Sequence, residues 1–160
     1  MTKTYSDSEI EALIAERKPL PSKWRDRTLL RQKRGHEEQE LDLIGDEGNE
    51  FRIILRRSRV NVLDFSVILA VRVEQSNRFF RLRRYNGKSH GHRNQIENNS
   101  FYGFHIHVAT ERYQEIGTRE DTYAELTDRY GDYEGALRCF MEDLNFEAPA
   151  EDQLGLPFEV

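Results

Sequence analysis

Between Leu41 and Val73 apolar residues return at every second position, and that period decides most of what this chain can fold into. Leu41 and Leu43 alternate with Glu40 and Asp42. After the turn Gly45-Asp46-Glu47-Gly48-Asn49, Phe51, Ile53 and Leu55 alternate with Arg52, Ile54 and Arg56. Successive strand residues point to opposite faces. Folding one run onto the other about the turn therefore sets Leu41 near Ile53 and Leu43 near Phe51, with Glu40 and Asp42 across from Ile54 and Arg52. The next run, Phe65 to Val73, carries apolar residues on one side and Ser66, Ile68 and Ala70 on the other, as a central strand does. A turn at Gln75-Ser76-Asn77 leads into a strand over Phe79–Asn86. A polar loop, 87–99, precedes a further strand from Phe101 to about Ala109.

Helical signals lie outside this block. Ser6-Asp7-Ser8-Glu9 is a capping box ahead of Ile10, Leu13 and Ile14. Asp132 caps a helix over Tyr133–Leu144 whose apolar face holds Tyr133, Leu137, Phe140, Met141 and Leu144. Residues 111–131 have no clean period and read as turn and short helix. The expected fold is α+β: an antiparallel sheet of five or six meandering strands, with helices near both termini packed on one face. A single domain is expected over residues 1–146, followed by a loosely docked tail over 147–160. A lone cysteine, Cys139, and an N-terminus without an apolar signal core fit a reducing cytoplasm, and no run approaches the length of a membrane span.

Charge is unevenly spread. Residues 51–94 hold 11 Lys/Arg against Asp64 and Glu74, a net of +9, whereas residues 111–160 hold 4 Arg against 14 acids, a net of −10. Such a split steers a polyanion to one side, or pairs with itself inside the fold. Four of the five histidines fall close together, as His90-Gly91-His92 and His105-Ile106-His107. If the two strands pair so that opposite residues sum to 186, Phe80 and Leu82 lie against Ile106 and Phe104. Arg81 and Arg83 then share the other face with His105 and His107, and Tyr85 lies further along.

Histidine moves protons near neutrality, arginine matches phosphate oxygens in pairs, and tyrosine stacks on bases. The leading reading is thus a nucleic-acid-acting protein, a metal-independent ribonuclease with RNA as its partner. His105 and His107 would serve as acid and base, with His90 or His92 as substitutes, and Arg81, Arg83, Arg84, Tyr85 and Lys88 would bind substrate. It assigns no metal ligands and no cofactor. The alternative is a non-enzymatic module whose basic face docks an acidic protein. The third reading is a metal-dependent hydrolase, since histidines at i and i+2 on a strand can share one ion and Glu97, Glu111 or Asp121 can be folded in beside them. Glu120, Asp121 and Asp128 otherwise anchor a histidine or are simply solvated.

The string Arg84-Tyr85-Asn86-Gly87-Lys88-Ser89-His90-Gly91-His92, followed by Phe104 to Tyr113, resembles a bacterial family known only as a domain of unknown function. That resemblance covers roughly residues 79–146 and implies a cytoplasmic protein from mobile or accessory DNA. The order Arg84-Tyr85-Asn86, His90-Gly91-His92, Phe104 and the helix over 133–146 is also similar to TumE-type toxins of toxin–antitoxin modules. This second likeness implies a toxin-like activity and an antitoxin partner.

Overall fold

The computed structural model describes residues 3–150, and in it the period-two runs become the spine of one large sheet. In chain order the elements are helix α1 (Asp7–Ala15), β1 (Lys18–Pro19), α2 (Trp24–Arg27), β2 (Arg31–Gln32), β3 (His36–Ile44), β4 (Glu50–Ser58) and β5 (Phe65–Arg72). There follow β6 (Phe79–Asn86), β7 (His92–Asn94), β8 (Asn99–Phe101), β9 (His105–Val108), α3 (Glu111–Glu115), β10 (Ala124–Leu126), α4 (Tyr133–Asp143) and β11 (Phe146–Glu147). Seven strands form an antiparallel sheet ordered β10-β9-β6-β5-β4-β3-β2. The class is α+β as expected, with one strand more than the upper expectation. The extra strands are the short edge pieces β2 and β10, too brief to show a period. The loop over 87–99 is not structureless either, because β7 and β8 fold into a small hairpin of their own.

The β3–β4 hairpin keeps the anticipated register: Leu41 faces Ile53, Leu43 faces Phe51, Glu40 faces Ile54 and Asp42 faces Arg52. Phe51, Ile53, Leu55, Val67 and Leu69 lose all contact with solvent. At roughly 25 cal/mol per Å² of apolar surface, such side chains dominate the stability of the sheet. α1 carries the capping box, Ser6 accepting from the Glu9 N–H while Glu9 reaches back to Ser6. α4 starts at the Asp132 cap and lays Phe140 and Met141 on the sheet. Both helices feed the same core.

β1 and β11 form a parallel pair that joins the two ends of the fold, Lys18 opposite Phe146 and Pro19 opposite Glu147. Lys18 is fully buried there and its Nζ donates to three carbonyls: Ile14 and Glu16 at 2.8 Å each and Leu144 at 2.7 Å. The segment expected to begin the loose tail is therefore paired through Glu147, with Ala148 buried. The rest of that tail, 151–160, lies outside the described residues. No helix among the described residues is long and apolar enough to cross a membrane.

One irregularity in β6 governs the site. Pairing with β5 runs Phe80 to Val71 and Arg81 to Ala70, then skips to Arg83 against Leu69 and Tyr85 against Val67. Leu82 is the extra residue of a β-bulge, and it inverts the alternation downstream. Phe80 and Leu82 point into the core, and so does Tyr85.

Candidate metal centre

Because of that bulge, β9 meets only the inverted half of β6, and the expected sum of 186 fails. The observed partners are Arg84 with His107, Tyr85 with Ile106, and Asn86 with His105. Ile106 shares the core face with Tyr85, and the two histidines share the other face with Arg84 and Asn86. Arg83 does not join them, and Arg81 keeps to their face but lies beyond the end of β9. Arg83 lies opposite Leu69 on the core side, and Arg81 lies opposite Ala70, its backbone N–H held by Glu120. Tyr85 is completely buried, donates to Asp143 at 2.5 Å and has no free face for a base. Burial and that bond raise its pKa. Lys88 lies over the Phe104 ring.

The histidine face is not an open strip. The β7–β8 hairpin folds over it, with Phe101 5.4 Å from His92 and 5.7 Å from His105, ring to ring. Beneath this flap His105 and His107 are 2% and 5% exposed. His92 reaches down from β7, its ring 5.6 Å from His105 and 5.0 Å from His107. One nitrogen from each of the three rings falls within 4.8 Å of the others.

Hydrogen bonds fix which nitrogen keeps its lone pair. His105 Nδ1 lies 2.8 Å from the Gly103 carbonyl and His107 Nδ1 lies 2.7 Å from the Asp121 carbonyl. A carbonyl only accepts, so both Nδ1 atoms carry hydrogen, and His105 Nε2 lies 3.5 Å from the Asn86 amide nitrogen, from which it accepts. His92 Nε2 lies 2.8 Å from Asn94 Oδ1. The Asn94 amide is itself set by Ala124, whose N–H donates to Oδ1 at 2.9 Å and whose carbonyl accepts from Nδ2 at 2.7 Å. His92 must therefore donate from Nε2 and keep Nδ1 bare.

Burial holds His105 below the usual histidine range. It pulls His107 down to about 2, helped by the positive Arg84 and the neighbouring rings. Three imidazoles, each oriented by a neutral acceptor on one ring nitrogen, are what a metal centre's ligands and their supporting shell look like.

The centre opens onto a cleft of about 310 Å³ whose rim includes Ser66, Arg84, Asn86, Ser89 and His90. His90, exposed and bonded to Ser89 Oγ at 2.9 Å, stands at the mouth and not among the three. Arg84 Nε lies 3.2 Å from the carboxylate of Asp121, which is fully buried. Beneath the site the buried Tyr130 hydroxyl, 2.8 Å from the Asn86 carbonyl and 3.0 Å from that of His105, ties β6 to β9.

Four of the arginines in the basic segment are neutralised by the chain's own acids: Arg52 by Asp42, Arg57 by Glu37, Arg72 by Glu50 and Arg84 by Asp121. Sequence reasoning paired His105 with His107 and offered Glu120, Asp121 and Asp128 as acids that anchor a histidine or are solvated. It is the backbone carbonyl of Asp121, not its carboxylate, that holds His107. Sequence reasoning missed Asn94 and the Gly103 carbonyl, for which no residue pattern signals.

Against known proteins, the model of DUF6978, a family of unknown function, matches residues 5–145. Neither the curated proteins nor the solved structures offer a match. The family match supports membership of an uncharacterised domain family and does not bear on the likeness to TumE-type toxins.

Proposed function

This chain belongs to the DUF6978 family, whose function is unknown, so its activity has to be read from its own residues, and we propose that it is a metal-dependent hydrolase in which His92, His105 and His107 hold one divalent transition-metal ion. The observation that carries this reading is the cluster of half-buried His92 with buried His105 and His107, one ring nitrogen of each lying within 4.8 Å of the others. Imidazole ligands suit zinc, copper, iron and nickel. Three protein ligands with a fourth position open to a cleft are the pattern of catalytic zinc sites, whereas structural sites close all four. Tetrahedral metal–nitrogen bonds of about 2.0–2.1 Å put ligand nitrogens about 3.4 Å apart, so the rings must close in around the ion. In such a site the ion lowers the pKa of a bound water and makes it a nucleophile at neutral pH.

The metal-independent mechanism fares worse. It needs one of His105 and His107 protonated near neutrality, and burial disfavours the charged form of both. Docking of an acidic protein is weakened by the internal pairing of four arginines. The test is metal uptake. Protein stripped by a chelator and titrated with Zn²⁺ or Co²⁺ should take up one ion per chain, with tetrahedral Co²⁺ absorption bands lost in H105A and H107A. Wild-type protein that takes up no ion, or variants that bind as well as wild type, would overturn the reading.

A further inference from the structure

Resting on the metal-centre reading, we infer that the substrate is a single-stranded nucleic acid, with Arg84 holding the scissile phosphodiester beside the ion and Arg56 holding a neighbouring phosphate. Arg84 is the cross-strand partner of His107 and lines the cleft into which the three histidines open. Asp121 fixes both residues at once. Its carbonyl accepts from His107, and its carboxylate, which accepts no hydrogen bond, lies against Arg84 Nε. The guanidinium is thereby held from behind, and its remaining donors are left to an anion in the cleft. A planar fork of donors matches two oxygens of one phosphate and stabilises charge that builds on them.

The length of the substrate follows from the next row of the sheet. Arg56, Ser66, Asn86 and His105 are successive cross-strand partners on β4, β5, β6 and β9. At about 4.8 Å per strand, Arg56 and His105 are about 14 Å apart. Asp64, Phe65 and Ser66 line both the histidine cleft and a neighbouring one of about 410 Å³ that holds Arg34, His36 and Arg56. With Arg84 already paired to Asp121, Asp64 offsets only part of the positive charge of Arg34 and Arg56. Arg56 and Arg84 stand two strands and two residues apart, about 12 Å between Cα atoms, so successive phosphates of one chain can each take one arginine. A flexible single strand can also bend into the cleft.

In the reaction, water gives its oxygen to phosphorus as the ester P–O bond breaks. One proton of that water ends on the departing oxygen, leaving one phosphomonoester end and one hydroxyl end.

The experiment uses Zn²⁺-loaded full-length protein, with metal content measured in every sample. The substrates are bis(p-nitrophenyl) phosphate, p-nitrophenyl acetate, and short labelled single-stranded RNA and DNA. Cleavage of both kinds of phosphodiester is expected. R84A should lower kcat/KM on both about 100-fold at full metal content, with R84K recovering only part. Because R84A leaves Asp121 buried and unpaired, the R84M/D121N pair serves as the second variant and should show the same loss. R56A should fall several-fold more on the oligonucleotides than on the small diester. Turnover of the acetate alone, no turnover of any substrate by metal-loaded protein, or an equal R56A effect on long and short substrates would overturn the inference while leaving the metal centre standing. Failure to take up metal would overturn both.

Discussion

Replacing Lys18 by methionine keeps the stem of the side chain and deletes its three hydrogen bonds. Hydrogen bonds from a charged donor contribute about 1.5–3 kcal/mol each, so three give roughly 5–9 kcal/mol before costs. Against this stands the cost of burying the ammonium. Burial draws the Lys18 pKa from 10.5 down to about 8, which corresponds to about 3 kcal/mol. Methionine removes that cost together with the bonds. The net loss expected for K18M is about 3–4 kcal/mol, a large share of the roughly 5–15 kcal/mol that holds a domain together. Urea unfolding at neutral pH should show it as a midpoint lowered by about 2 M at unchanged slope.

The pH dependence has a definite sign. The unfolded chain holds the Lys18 proton more tightly than the fold does, so stability gains as pH rises from about 8 towards 10.5. Wild type should therefore gain stability relative to K18M across that window. A midpoint shift below about 0.5 M would mean that water replaces the ammonium on the orphaned carbonyls, and would refute the reasoning.

Two further outcomes test the site and the core separately. N94A removes the acceptor that orients His92 and should weaken Zn²⁺ binding about 10–100-fold by competition against a chromophoric chelator; unchanged affinity would mean His92 needs no orientation. Y85F deletes the bond to Asp143 and should cost about 1–2 kcal/mol in chemical denaturation, with one ion still bound per chain. A loss of metal in Y85F would contradict its place on the core face.

The β3–β4 hairpin was legible because both strands keep one uninterrupted alternation and the glycine turn fixes their offset. The helices α1 and α4 were legible through their caps, whereas α2 has no side-chain cap. β6 was not, because Leu82 is apolar and buried like its neighbours, and nothing in Phe79–Asn86 marks it as the residue without a partner. Reading a single phase through the bulge put Arg81 and Arg83 beside the histidines and left out Arg84's role as His107's partner. His92 was recognised as a histidine of interest but not as the third member of a triad, since its position depends on the β7–β8 hairpin packing back over the sheet. Only three dimensions bring residues 92, 105 and 107 together.

Asn94 has a consequence that reaches past the histidine it orients. β10 is the last strand on its side of the sheet, and its outward backbone groups at Ala124 are answered by a side chain imitating a peptide, one donor and one acceptor. A bare outer strand is a template on which another chain can add itself. By occupying the outward N–H and carbonyl of Ala124, the Asn94 side chain takes the place an added strand would otherwise use.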